Sequence, residues 1–253
     1  MDNILIQNFG ITCKKLLDIT TKLVEGPNKT SDKFSRVMEG ICRRNYFKLH
    51  SIMVLYPDEF TGDAIMDLSR GMIEDMICVE FMKLKGKDNM ADKFLDYSNI
   101  EQKIDMDFLL ENKSEVDEQL LQKTNEDFER VKDKFMRKPG EISRSWASCD
   151  IEHMISELLK NNILSDFDRN MLLQAYIIGN RKNHLSSIDT LSYISDDFRE
   201  HMKNTSKETG LLFSLVSYIK VADEFACQIQ KEEVSNDLKS ILLELNQNGF
   251  KKK

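Results

Sequence analysis

The chain has 253 residues, a formal net charge of -7 from 43 acidic and 36 basic side chains, and only 10 Gly and 3 Pro. So few turn formers exclude a β-rich architecture, which needs special backbone geometry at every reversal. The acidic balance excludes a broad attraction to phosphate backbones or anionic membranes, while leaving room for a local basic groove.

Apolar residues recur at three- and four-residue spacing almost throughout, with no sustained alternation, so helices are expected along the whole chain. The first covers about residues 3–24 and ends at Glu25-Gly-Pro-Asn-Lys29; the second runs from about Ser31 to Leu55, before Tyr56-Pro57. The third spans about 62–85 and stops at Gly86, a residue suited to a left-handed C-terminal cap. Helices over about 90–113 and 117–137 are more charged, with narrow apolar stripes, as expected of peripheral or hairpin-like elements. Lys138-Pro139-Gly140 breaks the pattern, and the segment to Asp150 holds the one tryptophan, Trp146, expected to pack a loop onto the bundle.

A short helix at about 150–161 follows. Ser165-Asp-Phe-Asp168 has capping-box spacing and is expected to open the next helix. Thr205-Ser-Lys-Glu208 is a second such box, read as the start of an apolar helix to about 230, and a short amphipathic helix closes the chain. No internal repeat or low-complexity block interrupts the series, and the stretch at about 138–149 is too short and too aromatic for a domain boundary. The expectation is all-α: one helical-bundle domain over 1–253 with eight to nine helices.

Cys13, Cys42, Cys78, Cys149 and Cys227 are scattered singly, which reads as reduced thiols. No apolar run reaches the ~18 residues that would suggest a membrane span. Residues 1–7 lack a cationic region followed by an apolar core, so no secretory signal is read there. A cytoplasmic protein without a membrane partner is the expectation. Glycine-rich phosphate loops, HExxH and GxSxG are missing from the sequence. Asp150-Ile-Glu-His153 is the nearest approach to a helical di-iron motif and is read as chance. No cofactor and no metal site are therefore expected.

Two helices carry polar residues where their apolar faces should be. At 100° per residue, Ile65, Leu68, Met72, Met76 and Val79 form one face of the third helix. Met66, Ile73, Ile77 and Phe81 form a second face, and Arg70 and Glu74 fall within its arc. Four residues apart, those two can pair directly, either as a structural ion pair or as part of a site. In the segment Tyr176 to Asp189, His184 projects between Leu173, Ile177 and Ile188, with Arg181 across Ile188 and Asn180, Ser187 and Tyr176 bordering the same arc. Burying an imidazole, a guanidinium and amides among Ile and Leu is costly unless they meet partners, so this cluster is either a polar lock or a site. Asp96, in Phe94-Leu-Asp-Tyr97, is placed to orient His184, to pair with a buried Arg, or simply to face water.

The order Arg70-xxx-Glu74, Phe94-Leu-Asp96-Tyr97, Trp146, then Tyr176 with His184-Leu-Ser-Ser187 resembles DUF5677, a mostly bacterial, all-helical family of unknown function. The resemblance covers roughly residues 60–195 and implies an all-helical fold and no established activity. It singles out Arg70, Glu74, Asp96, Tyr97 and His184. A more distant similarity is to HEPN domains, many of which are metal-independent ribonucleases of toxin and phage-defence systems. Their catalytic helix carries an Arg, often followed by Asn, with His four to six residues beyond that Arg. Aligning Asn180-Arg181-Lys-Asn-His184 places Gly179 where the leading arginine would stand, a departure that Arg181 or Arg70 would have to make good.

Two functions compete on these residues. In the HEPN-like reading His184 is a general acid or base on a ribose hydroxyl or leaving oxygen. Arg181 or Arg70 stabilises the phosphate, Asn180 and Tyr176 position the substrate, and RNA is the partner. The acidic chain would then form a homodimer whose cleft concentrates Arg and Lys. In the alternative the protein is a non-catalytic sensor or interaction module, and the same residues form a buried structural network. A metal or small-molecule enzyme built on Glu74, Asp96 and His184 comes last, because ligand-spaced pairs are missing.

Overall fold

The computed structural model describes residues 4–25, 32–58, 61–164, 169, 172–173 and 196–248. Three long helices open the chain: α1 (Ile4–Val24), α2 (Lys33–Leu55) and α3 (Gly62–Lys85). Two more, α4 (Lys87–Glu111) and α5 (Glu118–Val131), form a hairpin. A 3-10 turn over Lys132–Phe135 leads into the antiparallel pair β1 (Met136–Lys138) and β2 (Glu141–Ile142). Then come α6 (Ile151–Lys160), α7 (Asp196–Gln228) and α8 (Glu232–Asn248). With eight α-helices and one very short strand pair among the described residues, the protein is all-α.

Helix starts follow from short polar side chains that satisfy otherwise orphaned N–H groups. Asp32 accepts from the Ser35 N–H at 2.7 Å, Asp117 from Leu120 at 2.9 Å and Asp150 from His153 at 2.8 Å. Asp150-Ile-Glu-His153 thus has a plain structural explanation as the capped first turn of α6.

α3 and α7 form the most extensive helix pair and run through the centre of one continuous apolar core. Leu16 of α1, Met38 of α2, Met72 and Ile73 of α3, and Leu211 and Phe225 of α7 are all fully inside it. The two central helices meet closely at Gly210, where a Cβ would lie 3.0 Å from Ile65 Cγ2 and 3.3 Å from the Met66 backbone. The Ser69 hydroxyl sits at that crossing, 2.7 Å from the carbonyl oxygens of both Ile65 and Gly210. A second polar clamp joins α1 to α7, with Thr20 Oγ1 and the Tyr218 hydroxyl 2.5 Å apart in a fully buried position. Lys207, also buried, donates to the Asp58 carbonyl at 3.0 Å and ties α7 to the turn after α2.

Three local expectations are corrected. The helix expected over 117–137 ends at Val131. Beyond it Phe135 turns into the core against Tyr97, and the Ser143 N–H donates to the Phe135 carbonyl at 2.8 Å. Tertiary anchoring, with Gly140 at φ +80 in the turn, replaces the last helical turns by a hairpin. Thr205-Ser-Lys-Glu208 opens no helix, because α7 already begins at Asp196 and runs through it. Gly86 has the expected positive φ, +105, but α4 begins at the next residue, so it is a one-residue hinge between two helices. No helix among the described residues is long and apolar enough to cross a membrane.

Candidate functional site

The polar groups of interest lie along one stripe of α3. Arg70, Glu74 and Cys78 are spaced by four residues and share a face, so the stripe extends about 12 Å along the helix. Arg70 and Glu74 pair directly, Nε to Oε1 at 3.0 Å, and both side chains are partly buried, at 20% and 32% exposure. They are neither sealed in the core nor waving in water. The pair runs base first, the less favoured order for an i,i+4 pair, so its geometry owes more to the surrounding packing than to the helix alone. One turn further on, burial pushes the Cys78 thiol up to about 12, with the charges of Asp75 and Glu74 adding to the effect.

Asp96 and Tyr97 of α4 have partners in the segment after α5. The Asp96 carboxylate pairs with Lys134. Tyr97 is buried, its ring edge-on to Phe135 with centroids 5.2 Å apart, and its hydroxyl donates to the Ser143 carbonyl at 3.0 Å. Burial, with the Glu101 charge, raises its pKa, so it stays a neutral donor. These two adjacent residues hold the 3-10 turn and the loop after β2 against α4. Trp146 completes the attachment as expected, edge-on to Phe94 with centroids 5.4 Å apart. Among the described residues the structure therefore brings Arg70 to Glu74, and takes Asp96 and Tyr97 to a different set of partners. Tyr176, Asn180, Arg181, His184 and Ser187 lie outside the described residues.

The family model described as Family of unknown function (DUF5677) matches residues 37–202, well over half of the chain. This chain is a DUF5677 protein. The match begins on α2, some twenty residues ahead of the stretch that the sequence resemblance covers, and ends inside α7. It takes in the Arg70–Glu74 pair, Asp96, Tyr97, Trp146 and His184. No curated protein and no solved structure matches the chain.

The most deeply buried carboxylate described in this DUF5677 protein is one that the sequence reading passed over. Asp75 of α3 is 7% exposed and faces α2, where Arg44 and Lys48 bind it. Arg44 Nε lies 3.2 Å from one oxygen, and Lys48 Nζ 3.4 Å from that same oxygen. Gly71, one turn earlier, leaves the room: a Cβ there would stand 2.6 Å from Lys48 Nζ. Burial pushes the Asp75 carboxyl up, and the two cations work against that shift. A signal was present, since Asp75 projects within about 60° of Leu68, Met72 and Val79 on the helical wheel, at the edge of the first apolar face.

Two concavities flank the α3 stripe. The smaller, near α6 and α7, is crossed by ion pairs: Lys83 reaches Glu224 at 2.7 Å and Glu80 at 3.2 Å, and Lys87 reaches Glu224 at 3.2 Å. Burial opposes the charge on Glu224, but hydrogen bonds and the Lys83 charge outweigh it and hold the carboxyl below its usual range. Glu80, Lys83 and Glu224 are thus paired with one another, as in a structural network. The larger, of about 690 Å³, opens between the hairpin, the following loop and α6, with Cys78 of the α3 stripe among its lining residues. No group of His, Cys, Asp and Glu among the described residues is arranged to hold a metal ion.

Proposed function

We propose that this protein has an RNA-directed, HEPN-like role, as a metal-independent ribonuclease or RNA-binding protein acting in the cytoplasm in bacterial stress or phage defence. The observation that carries the reading is the Arg70–Glu74 pair. A guanidinium is oriented by a carboxylate on the central helix, at the boundary between core and solvent. Preorganised cations at such a boundary are what charge developing on a phosphate requires. In this reading His184 moves the proton, Arg181 or Arg70 stabilises the phosphate, and Asn180 and Tyr176 position the substrate. The same family match takes in both the α3 pair and the Asn180 to His184 segment.

Dimerisation belongs to the same proposal. A chain of net charge -7 needs two copies to concentrate Arg and Lys along one cleft. Ile104, Phe108, Leu110 and Leu120 are exposed around the α4–α5 hairpin tip and would supply apolar surface for a second copy. The deciding experiment is incubation of the purified protein with total RNA in the presence of a chelator. Cleavage should occur, and Arg70→Ala and His184→Ala should each lower it about 100-fold or more. RNA left intact, with His184→Ala equal to wild type in cell toxicity, would end the proposal.

A second reading, a non-catalytic sensor or interaction module, is favoured by the partners of Asp96 and Tyr97. Both residues are engaged in holding the segment that follows α5. Here Arg70, Glu74 and His184 are further members of a structural network, and removing one strands the rest.

A further inference from the structure

The larger cleft carries more cation than carboxylate, against the acidic balance of the chain. Two arginines, Arg137 and Arg144, line it against one carboxylate, Asp150, in a chain whose net charge is -7. Arg137 stands on β1 and its Nη2 donates to the Ser148 carbonyl at 3.3 Å, which holds the guanidinium along the cleft wall. Arg144 is exposed and makes no hydrogen bond or ion pair among the described residues. His153, on the first turn of α6, is exposed at the same rim. Beside Ser145, Ser148 and Cys149 the rest of the lining is apolar: half-buried Ile151, the Cys78 thiol, and the more deeply buried Trp146 and Met154. Trp146 is braced from behind by Phe94 and cannot swing away without losing that contact.

Guanidinia bind phosphate oxygens through planar, charge-assisted hydrogen bonds, and aromatic and aliphatic surfaces suit the face or edge of a base. A volume of about 690 Å³ falls within the range of small-ligand sites. We infer that this cleft binds a nucleoside monophosphate, with the phosphate between Arg137 and Arg144 and the base against the apolar wall of Trp146 and Ile151. The inference goes beyond the RNA-directed proposal, because it needs no cleavage and no contribution from His184. The phosphate ester can come from a free nucleotide or from a terminal residue of RNA, and both present the same chemistry to the cleft.

Trp146 is the one tryptophan in the chain, so its fluorescence reports on the cleft directly. The full-length protein is titrated with AMP, adenosine and inorganic phosphate while Trp146 emission is followed. AMP should change the emission saturably, and adenosine and phosphate alone should bind about tenfold or more weakly. Arg144→Gln should weaken AMP about tenfold, and Arg137→Gln with Arg144→Gln about 100-fold. Arg144 is exposed, so its single variant should melt with the wild type, and it carries the test if the double variant fails to fold. An adenylate tetramer run in parallel separates the two sources: much tighter binding assigns the cleft to RNA, equal binding to the free nucleotide. Emission unmoved by AMP, AMP no tighter than adenosine or phosphate, or Arg144→Gln with unchanged affinity overturns the inference. Loss of binding with RNA cleavage intact would refute only this site, and the reverse result only the ribonuclease.

Discussion

Gly210 offers a test in which two opposing effects decide the sign. In a helix interior, Gly to Ala should stabilise by about 1 kcal/mol through backbone entropy alone. At this crossing the new methyl would lie 3.0 Å from Ile65 Cγ2 and 3.3 Å from both N and Cα of Met66. The Ile65 methyl can give way by a few tenths of an ångström, but the Met66 backbone belongs to the central helix and moves only with α3. Overpacking of this kind costs about 1–3 kcal/mol, which offsets or exceeds the propensity gain. Separating the helices also stretches the contact between the Ser69 hydroxyl and the Gly210 carbonyl. Gly210→Ala should therefore be destabilising by a net 0–2 kcal/mol, roughly, and should lower the melting temperature by up to about 4–8 °C. Gly210→Leu should be far worse. Urea unfolding of wild type and both variants measures this. A Gly210→Ala protein more stable than wild type by the full propensity increment, about 1 kcal/mol, would refute the close α3–α7 approach that sets the position of Arg70.

Asp75→Asn should change stability by less than about 1 kcal/mol at neutral pH, because burial already disfavours the charged form that Arg44 and Lys48 support. The pH dependence has a definite sign. The folded-state pKa lies above 3.8, so the wild type gains stability relative to Asp75→Asn as pH falls through the folded value. That gain is complete below 3.8 and is lost as pH rises; parallel melts between pH 7 and 4 that show the opposite trend would contradict it. Tyr97→Phe removes one buried hydrogen bond to Ser143 and should cost about 1 kcal/mol, with a shift in Trp146 emission as the loop loosens. His184→Ala tests the structural-network reading: a marked drop in melting temperature supports it, and an unchanged melt counts against it. Phe108→Glu, at an exposed position on α4, should leave the melt unchanged and convert any dimer seen by light scattering into monomer; an unaltered mass would exclude the hairpin tip as the interface.

The helices were legible in the amino-acid order alone, because a 3.6-residue apolar rhythm is a local property written in each segment. That order placed α3 to the residue, put Gly86 at a positive φ, and paired Arg70 with Glu74 across one turn. Trp146 as a loop anchor was legible for the same reason, as an aromatic side chain in a turn-rich stretch that must be buried somewhere. What ended α5 was not local. Phe135, Ser143 and Tyr97 meet only once α4 has folded back, and their contacts outweigh the helical preference of residues 132–137. The partner of Asp96 was undecidable from spacing, since Lys134 stands 38 positions away. The Arg137, Arg144 and Trp146 cleft likewise exists only because a hairpin, a loop and α6 converge beside Cys78. Periodicity fixes which face of a helix is apolar, but the meeting of two faces is a property of the packed chain, and the candidate sites lie where such faces meet.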